Sequence, residues 1–184
     1  MAKTRINMID LMNTAWAKKN SCSSDEFAEK IKNLLSHSFV EVERIYKDYC
    51  SRNGVEYTQQ VFLVYQHIFI FLMKCDGEFL QGEYDAYLKY CKWANIQPLK
   101  VERVNELYNE MSVDVLTNDI KLLVGLRDSI DPENYEAMVQ GFCYLSLAGD
   151  RCFDENEFYI LRCFFEEGYD YEPADWEQFK KEWT

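Results

Sequence analysis

The stretch from Val61 to Met73, VFLVYQHIFIFLM, most constrains the fold because it is apolar on nearly every side of a helix. Gln66 and His67 are its only polar members, and six apolar residues follow one another from Ile68 to Met73. A helix that offers no polar face to water must be covered by neighbouring elements. The rest of the chain is therefore predicted to pack around this helix.

The composition favours helices for those neighbours. The chain has 184 residues, 48% of them hydrophobic, with only 7 Gly and 3 Pro. That length suits one hydrophobic core, and so few helix breakers leave little material for many tight turns. We predict an all-α protein, a single compact bundle of eight or nine helices in one domain over 1–184, with N-terminal helices in 1–54 and a C-terminal helix in 171–184.

Helix boundaries are predicted from apolar spacing and from capping residues. Spacing places helices at about 5–19, 56–74 and 82–95, and a break is expected near 36–38. The capping signals are Ser24 as an N-cap, Gly54 as a C-cap, Pro98 inside a first turn, Ser112 and Asp131-Pro132 at helix starts, Asp154 with Glu157 as a capping box, Gly168 as a helix end, and Glu172-Pro173 at the last start.

The charge and the cysteines limit the class of function. A formal net charge of -12 repels nucleic-acid phosphates, so direct nucleic-acid binding is not expected and cations or basic protein surfaces are favoured partners. The 7 cysteines form no CxxC pair, which indicates reduced thiols. With no signal-peptide pattern and no apolar run near the roughly 20 residues that span a bilayer, a cytoplasmic location without a transmembrane segment is expected.

The buried helix and the acidic turn after it recur later in the chain. Asp76 and Asp150 mark an offset of 74 residues, and the same offset pairs Glu83 with Glu157. The other identities at this offset are Gln66 with Gln140 and Phe79 with Phe153. Each unit has the order apolar helix, acidic turn, amphipathic helix, so the two units are predicted to pack about a pseudo-twofold axis.

These residues resemble a known family. Cys75-Asp76-Gly77 through Glu83, and Gly149-Asp150 through Glu157, are similar to the Asp-Gly-x5-Glu junctions of the tellurite-resistance TerB-like family, and the resemblance covers about 55–170. It implies a compact helical bundle with a surface acidic cluster built from both turns. It also implies a stress-response module that binds cations or proteins, with no established catalysis.

Two interpretations of the four acids remain open. In one, they only end and begin helices, since an acid in a first helical turn suits the helix dipole. In the other, Asp76, Glu83, Asp150 and Glu157 converge as oxygen ligands for Ca²⁺ or Mg²⁺, and Gly77 permits the turn. An EF-hand is excluded because Leu72 and Lys74 would occupy its first two ligand positions.

No enzymatic motif is present. The two histidines, His37 and His67, lie outside any Glu-x-x-His or His-Glu-x-x-His pattern, and the cysteine spacing does not suit zinc. His67 is predicted to be a hydrogen-bonded core residue and His37 a surface or helix-break residue. We therefore expect a protein without enzymatic activity.

Two functions are compatible with this sequence. The first is a TerB-like module that binds a divalent cation or a basic protein through the paired acidic turns. The second is an acidic inhibitor or nucleic-acid mimic, of the phage counter-defence type, that occupies the basic groove of a nucleic-acid-binding protein. The aromatic and acidic tail from Phe164 to Trp183 would pack on the bundle or serve as a docking patch for such a partner.

Overall fold

The computed structural model describes residues 8–74, 80–149, 155–169 and 173–183, and within these ranges it is all-α. Nine α-helices, one short 3-10 turn and no strand occur in these ranges, which confirms the predicted class. The helices are α1 (Met8–Asn20), α2 (Ser24–Asn53), α3 (Gln60–Leu72), α4 (Gln81–Trp93), α5 (Val101–Glu110), α6 (Val113–Gly125), α7 (Pro132–Ser146), α8 (Glu155–Tyr169) and α9 (Pro173–Trp183), with the 3-10 turn at Arg127–Ser129.

The capping residues of α2 differ by one position from the prediction. Ser23 is the N-cap, not Ser24, because Glu26 lies three residues after Ser23 and completes a capping box. The Glu26 carboxylate accepts a hydrogen bond from the Ser23 backbone N–H at 2.8 Å, and the Ser23 hydroxyl accepts one from the Glu26 N–H at 3.2 Å. At the other end, Gly54 has φ 63°, which confirms the predicted left-handed C-cap.

Other predicted boundaries are partly corrected. The break expected near 36–38 is absent, since α2 is continuous and the Ser36 and Ser38 hydroxyls donate to carbonyls three residues earlier. Pro98 precedes α5 instead of opening it, and Gly168 lies inside α8 instead of ending it. Ser112 and Asp131 are confirmed as N-caps of α6 and α7, while Asp154 lies outside the described residues.

Helix α3 lies in the core, as its apolar sequence predicts. Val64, Tyr65, Ile68, Phe69 and Ile70 are all fully buried. Helices α2, α5, α6 and α7 each contact α3, and rings of α4 pack against Tyr65 and Phe69. Among the described helices, none combines the length and the hydrophobicity that a bilayer-spanning segment requires.

Some of the helix contacts occur in pairs that the duplication would relate, whereas others, such as those of α2 with α3 and of α1 with α2, have no comparable counterpart among the described helices. The offset of 74 residues pairs α3 with α7 and α4 with α8, so a twofold arrangement predicts that contacts occur in matched sets. Helix α2 contacts α7 and α4, and α6 contacts the counterparts α3 and α8. Likewise α1 contacts α7 while α5 contacts α3. The matched contacts are compatible with the predicted repeat, but both the repeat and its twofold axis stay predictions.

His67 joins α3 to α6 through a buried carboxylate. Its Nδ1 lies 2.7 Å from Oδ2 of Asp119, and the side chains are 26% and 9% exposed. The hydrogen-bonded environment predicted for His67 is therefore confirmed. The contact explains why two polar side chains are tolerated between apolar helices.

Asp119→Ala is expected to lower the free energy of unfolding by about 1–3 kcal/mol, because it leaves the largely covered His67 nitrogen without its acceptor. Urea unfolding of the wild type, Asp119→Ala, His67→Ala and the double variant would measure the coupling between the two side chains. Asn118→Ala, an exposed neighbour on α6, is the control and should be nearly neutral. A coupling energy near zero would contradict a stabilising contact.

Candidate functional site

The structure describes two of the four predicted ligands. Glu83 lies in the first turn of α4 and Glu157 in the first turn of α8, as the repeat predicts. Both are buried, each with 3% of its surface exposed, so the expected surface position is wrong for these two carboxylates. Asp76, Gly77 and Asp150 lie outside the described residues.

The chain segments that flank the two acidic turns contact each other. Leu80 is the first described residue after the first turn, and Gly149 is the last before the second. A Cβ atom built on Gly149 would lie 2.2 Å from Cδ1 of Leu80. Leu80, which follows the first turn, therefore packs directly on Gly149, which precedes the second. The absence of a side chain at Gly149 makes this approach possible.

A second glycine brings the first turn of α4 equally close to the chain that follows α7. A Cβ built on Gly82, in the first turn of α4, would lie 2.4 Å from the backbone carbonyl oxygen of Ala148. Because Gly82 precedes Glu83, this contact fixes the position of the Glu83 backbone against the end of α7. The sequence carries only a weak signal at Gly82, because a glycine inside a helical pattern can have a packing reason but does not identify its partner.

A lysine from α1 lies at the same place. The Nζ atom of Lys19 donates a hydrogen bond to the carbonyl oxygen of Gly149 at 2.8 Å, and it also lies 4.9 Å from the centroid of the Trp16 ring. Lys19 therefore brings positive charge to the last described residue before the second acidic turn. From the sequence, only the position of Lys19 near the end of α1 is predictable, because its partner is 130 residues away.

A hydrogen-bond network holds α4 against α3 and against the segment after α4. Nε2 of Gln66 donates to the Tyr87 hydroxyl at 3.2 Å, and the Leu99 N–H donates to the same oxygen at 3.3 Å. The Tyr84 hydroxyl donates to the Leu99 carbonyl at 3.0 Å. Burial raises the pKa of Tyr87, so its hydroxyl stays neutral and acts as a positioning group.

The five described cysteines are all free thiols. Cys50, Cys91 and Cys143 are buried, while Cys22 and Cys163 are half-buried. Burial raises the pKa of the Cys91 and Cys143 thiols, which keeps them protonated and poorly nucleophilic. They are core residues rather than reactive groups.

Among the described residues, no group of three or more His, Cys, Asp or Glu side chains is arranged to hold a metal ion. The proposed cation site includes Asp76 and Asp150, so it extends beyond the part of the chain to which that finding applies. Of the four predicted ligands the structure describes Glu83 and Glu157, whose carboxylate oxygens are the ligand type that Ca²⁺ and Mg²⁺ prefer.

No protein-family model, curated protein or solved structure matches the chain. The resemblance to the TerB-like family therefore rests on the residue pattern of the two turns alone and stays a prediction.

Proposed function

We propose that the protein is a non-enzymatic binding module whose two acidic turns share one divalent-cation site, with Asp76, Glu83, Asp150 and Glu157 as ligands. The observation that carries this proposal is the contact between Leu80 and Gly149, which joins the flanks of the two turns. Residues 69 positions apart in the sequence meet there, which is what a shared site needs. The bound ion would be Ca²⁺ or Mg²⁺.

The burial of the two glutamates supports a role beyond helix capping. An acid that only complements a helix dipole performs that role while exposed to water, as the exposed Glu102 in the first turn of α5 illustrates. Burying a carboxylate costs free energy unless positive charge or hydrogen bonds compensate it. Both side chains already take part in interactions within the protein. A divalent cation would add to that compensation and would stabilise the folded state by binding it selectively.

Thermal unfolding with millimolar Ca²⁺, Mg²⁺ or Mn²⁺ tests the proposal. An ion present at about 100 times its dissociation constant would add about 2.7 kcal/mol to the free energy of unfolding, which is a shift of several degrees in Tm. Glu83→Gln and Glu157→Gln should each remove most of that ion-dependent shift. Calorimetric titration of the metal-free protein measures the affinity and stoichiometry directly.

Glu102→Gln is the matched control, because it removes a first-turn acid that is exposed and belongs to neither repeat unit. It should leave the ion-dependent shift intact. An unchanged Tm with all three ions would reject the cation site, and more than one bound ion per chain would reject a shared one.

A second candidate function is an acidic decoy for a basic, nucleic-acid-binding protein. It is favoured by the net charge of -12 and by ion pairs that neutralise several Lys and Arg side chains within their own helices. Lys32, Lys47 and Arg103 each pair with a glutamate of their own helix, at 2.6, 3.1 and 2.8 Å. The surplus acids would then dominate the field that a basic partner meets. Capture of such a partner at low salt and its steep release at high salt would support this function over simple ion binding.

A further inference from the structure

A groove of about 640 Å³ follows the exposed side of α2, with Trp93 at the end of α4 and Ala137 of α7 completing its walls. Lys30, Asn33 and His37 line it from α2 at spacings of three and four residues, so they share one face of that helix. The groove is shallow and open to solvent, so a ligand would lie along its surface and stay partly exposed. None of the lining residues of this α2 groove is among the proposed cation ligands, so binding there does not depend on the cation site.

The α2 groove contrasts with the rest of the molecule in charge. None of its lining residues is acidic, although the chain contains 32 Asp and Glu residues. Lys30 forms no ion pair within the described part of the chain, and its Nζ lies 5.9 Å from the centroid of the Tyr144 ring. A cation without a carboxylate partner, in a groove without acids, favours an anionic ligand.

One acid further along this face of α2 is already engaged. A smaller groove of about 360 Å³ shares His37 with the α2 groove and contains Glu41. The Glu41 carboxylate accepts hydrogen bonds from the Asp131 N–H and the Asn134 amide, and it lies 3.6 Å from the Arg44 guanidinium. The Glu41 carboxylate oxygens are therefore already engaged by Asp131, Asn134 and Arg44.

The apolar wall of the α2 groove is held in place. Trp93 is 39% exposed, and its ring meets Phe39 edge to face at 5.8 Å and lies 5.7 Å from the ring of Tyr90. Val40, which is 58% exposed, lies beside it in the groove. A fixed indole and an exposed aliphatic side chain provide a surface for an aromatic ring.

We propose that the α2 groove binds a small organic anion with an aromatic body. Its carboxylate pairs with Lys30 and accepts a hydrogen bond from the side-chain amide of Asn33, and its ring packs on Trp93 and Val40. The charge selects anions over neutral molecules of the same shape, because only an anion gains the attraction of the unpaired Lys30 ammonium.

The test is a calorimetric titration of the full-length protein with 2-naphthoate and with its uncharged analogue 2-naphthalenemethanol. EDTA in the buffer makes the result independent of divalent cations. We expect 2-naphthoate to bind with a dissociation constant below about 1 mM, and Lys30→Ala to weaken it about tenfold. Val40→Ser should also weaken binding, while the affinity for 2-naphthalenemethanol should be low and unaffected by Lys30→Ala.

Two exposed positions on α6 serve as matched controls. Lys121→Ala removes an equivalent charge and Val113→Ser an equivalent exposed valine, and neither residue lines the α2 groove. Both variants should bind 2-naphthoate like the wild type. The proposal is overturned if 2-naphthoate does not bind by about 1 mM, if both ligands bind equally, or if Lys30→Ala has no more effect than Lys121→Ala.

Discussion

Gly82→Ala is expected to lower the free energy of unfolding by about 3 kcal/mol, which is large for the addition of one methyl group. The new Cβ would meet the Ala148 carbonyl oxygen at 2.4 Å and the carbonyl carbon at 3.1 Å. Both are backbone atoms at the end of α7, so no side-chain rotation relieves the clash and the two helices must separate. Urea unfolding followed by circular dichroism measures the loss.

Two other glycine-to-alanine substitutions serve as comparisons for Gly82→Ala. Gly125→Ala at the end of α6 adds a methyl group with nothing within 4 Å, so it should be neutral or stabilise by up to about 1 kcal/mol. Gly141→Ala meets Leu35 Cδ2 at 2.5 Å, and because that is a side-chain atom its cost should fall between the other two. If Gly82→Ala proved as harmless as Gly125→Ala, α4 and α7 would not cross as closely as described.

The same variant bears on the proposed cation site. Glu83 follows Gly82, so a displaced α4 would move this carboxylate relative to the second turn. If the site is shared, Gly82→Ala should reduce the ion-dependent rise in Tm as well as the stability itself. Gly141→Ala, which acts between α7 and α2, should lower stability with less effect on the response to ions.

The parts of the fold that could be predicted from sequence are those with local causes. The burial of α3 follows from its own composition, and the caps at Gly54, Ser112 and Asp131 follow from backbone geometry that few residues supply. Gly168 was misassigned because a helical glycine is a C-cap only where the chain turns left-handed, and here α8 continues through it to Tyr169. Whether a helix ends at a glycine or continues through it depends on tertiary contacts, which the local sequence does not show.

The candidate site was predictable only in part for the same reason. The offset of 74 residues singles out Glu83 and Glu157 as equivalents, and they occupy equivalent first turns. Their burial is a property of the helices that cover them, so the sequence indicated a surface position instead. The approach of Lys19 to Gly149 joins residues far apart in the chain and carries no local signal.

Tyr90→Ala is expected to cost about 3–5 kcal/mol, because it removes the ring that joins the aromatic side chains of three helices. Tyr90 is fully buried, with its ring centroid 5.0 Å from that of Phe69 on α3 and 6.2 Å from that of Phe39 on α2. Further ring contacts are made with Trp93, Tyr65 and Phe62. Chemical denaturation gives the loss in stability, and near-ultraviolet circular dichroism reports whether the remaining rings stay ordered.

Tyr90→Phe measures the contribution of the hydroxyl to stability separately from that of the ring. Within the described residues the Tyr90 hydroxyl has no hydrogen-bond partner, and burial raises its pKa well above the ordinary value. Removing the oxygen should therefore leave stability unchanged or raise it by about 1 kcal/mol, because an unsatisfied buried polar group is costly. Tyr65→Phe is the control: the Tyr65 hydroxyl lies 3.0 Å from Ser38 Oγ, so its loss should cost about 1 kcal/mol. A Tyr90→Phe variant less stable than Tyr65→Phe would mean that the Tyr90 hydroxyl contributes a stabilising hydrogen bond in solution.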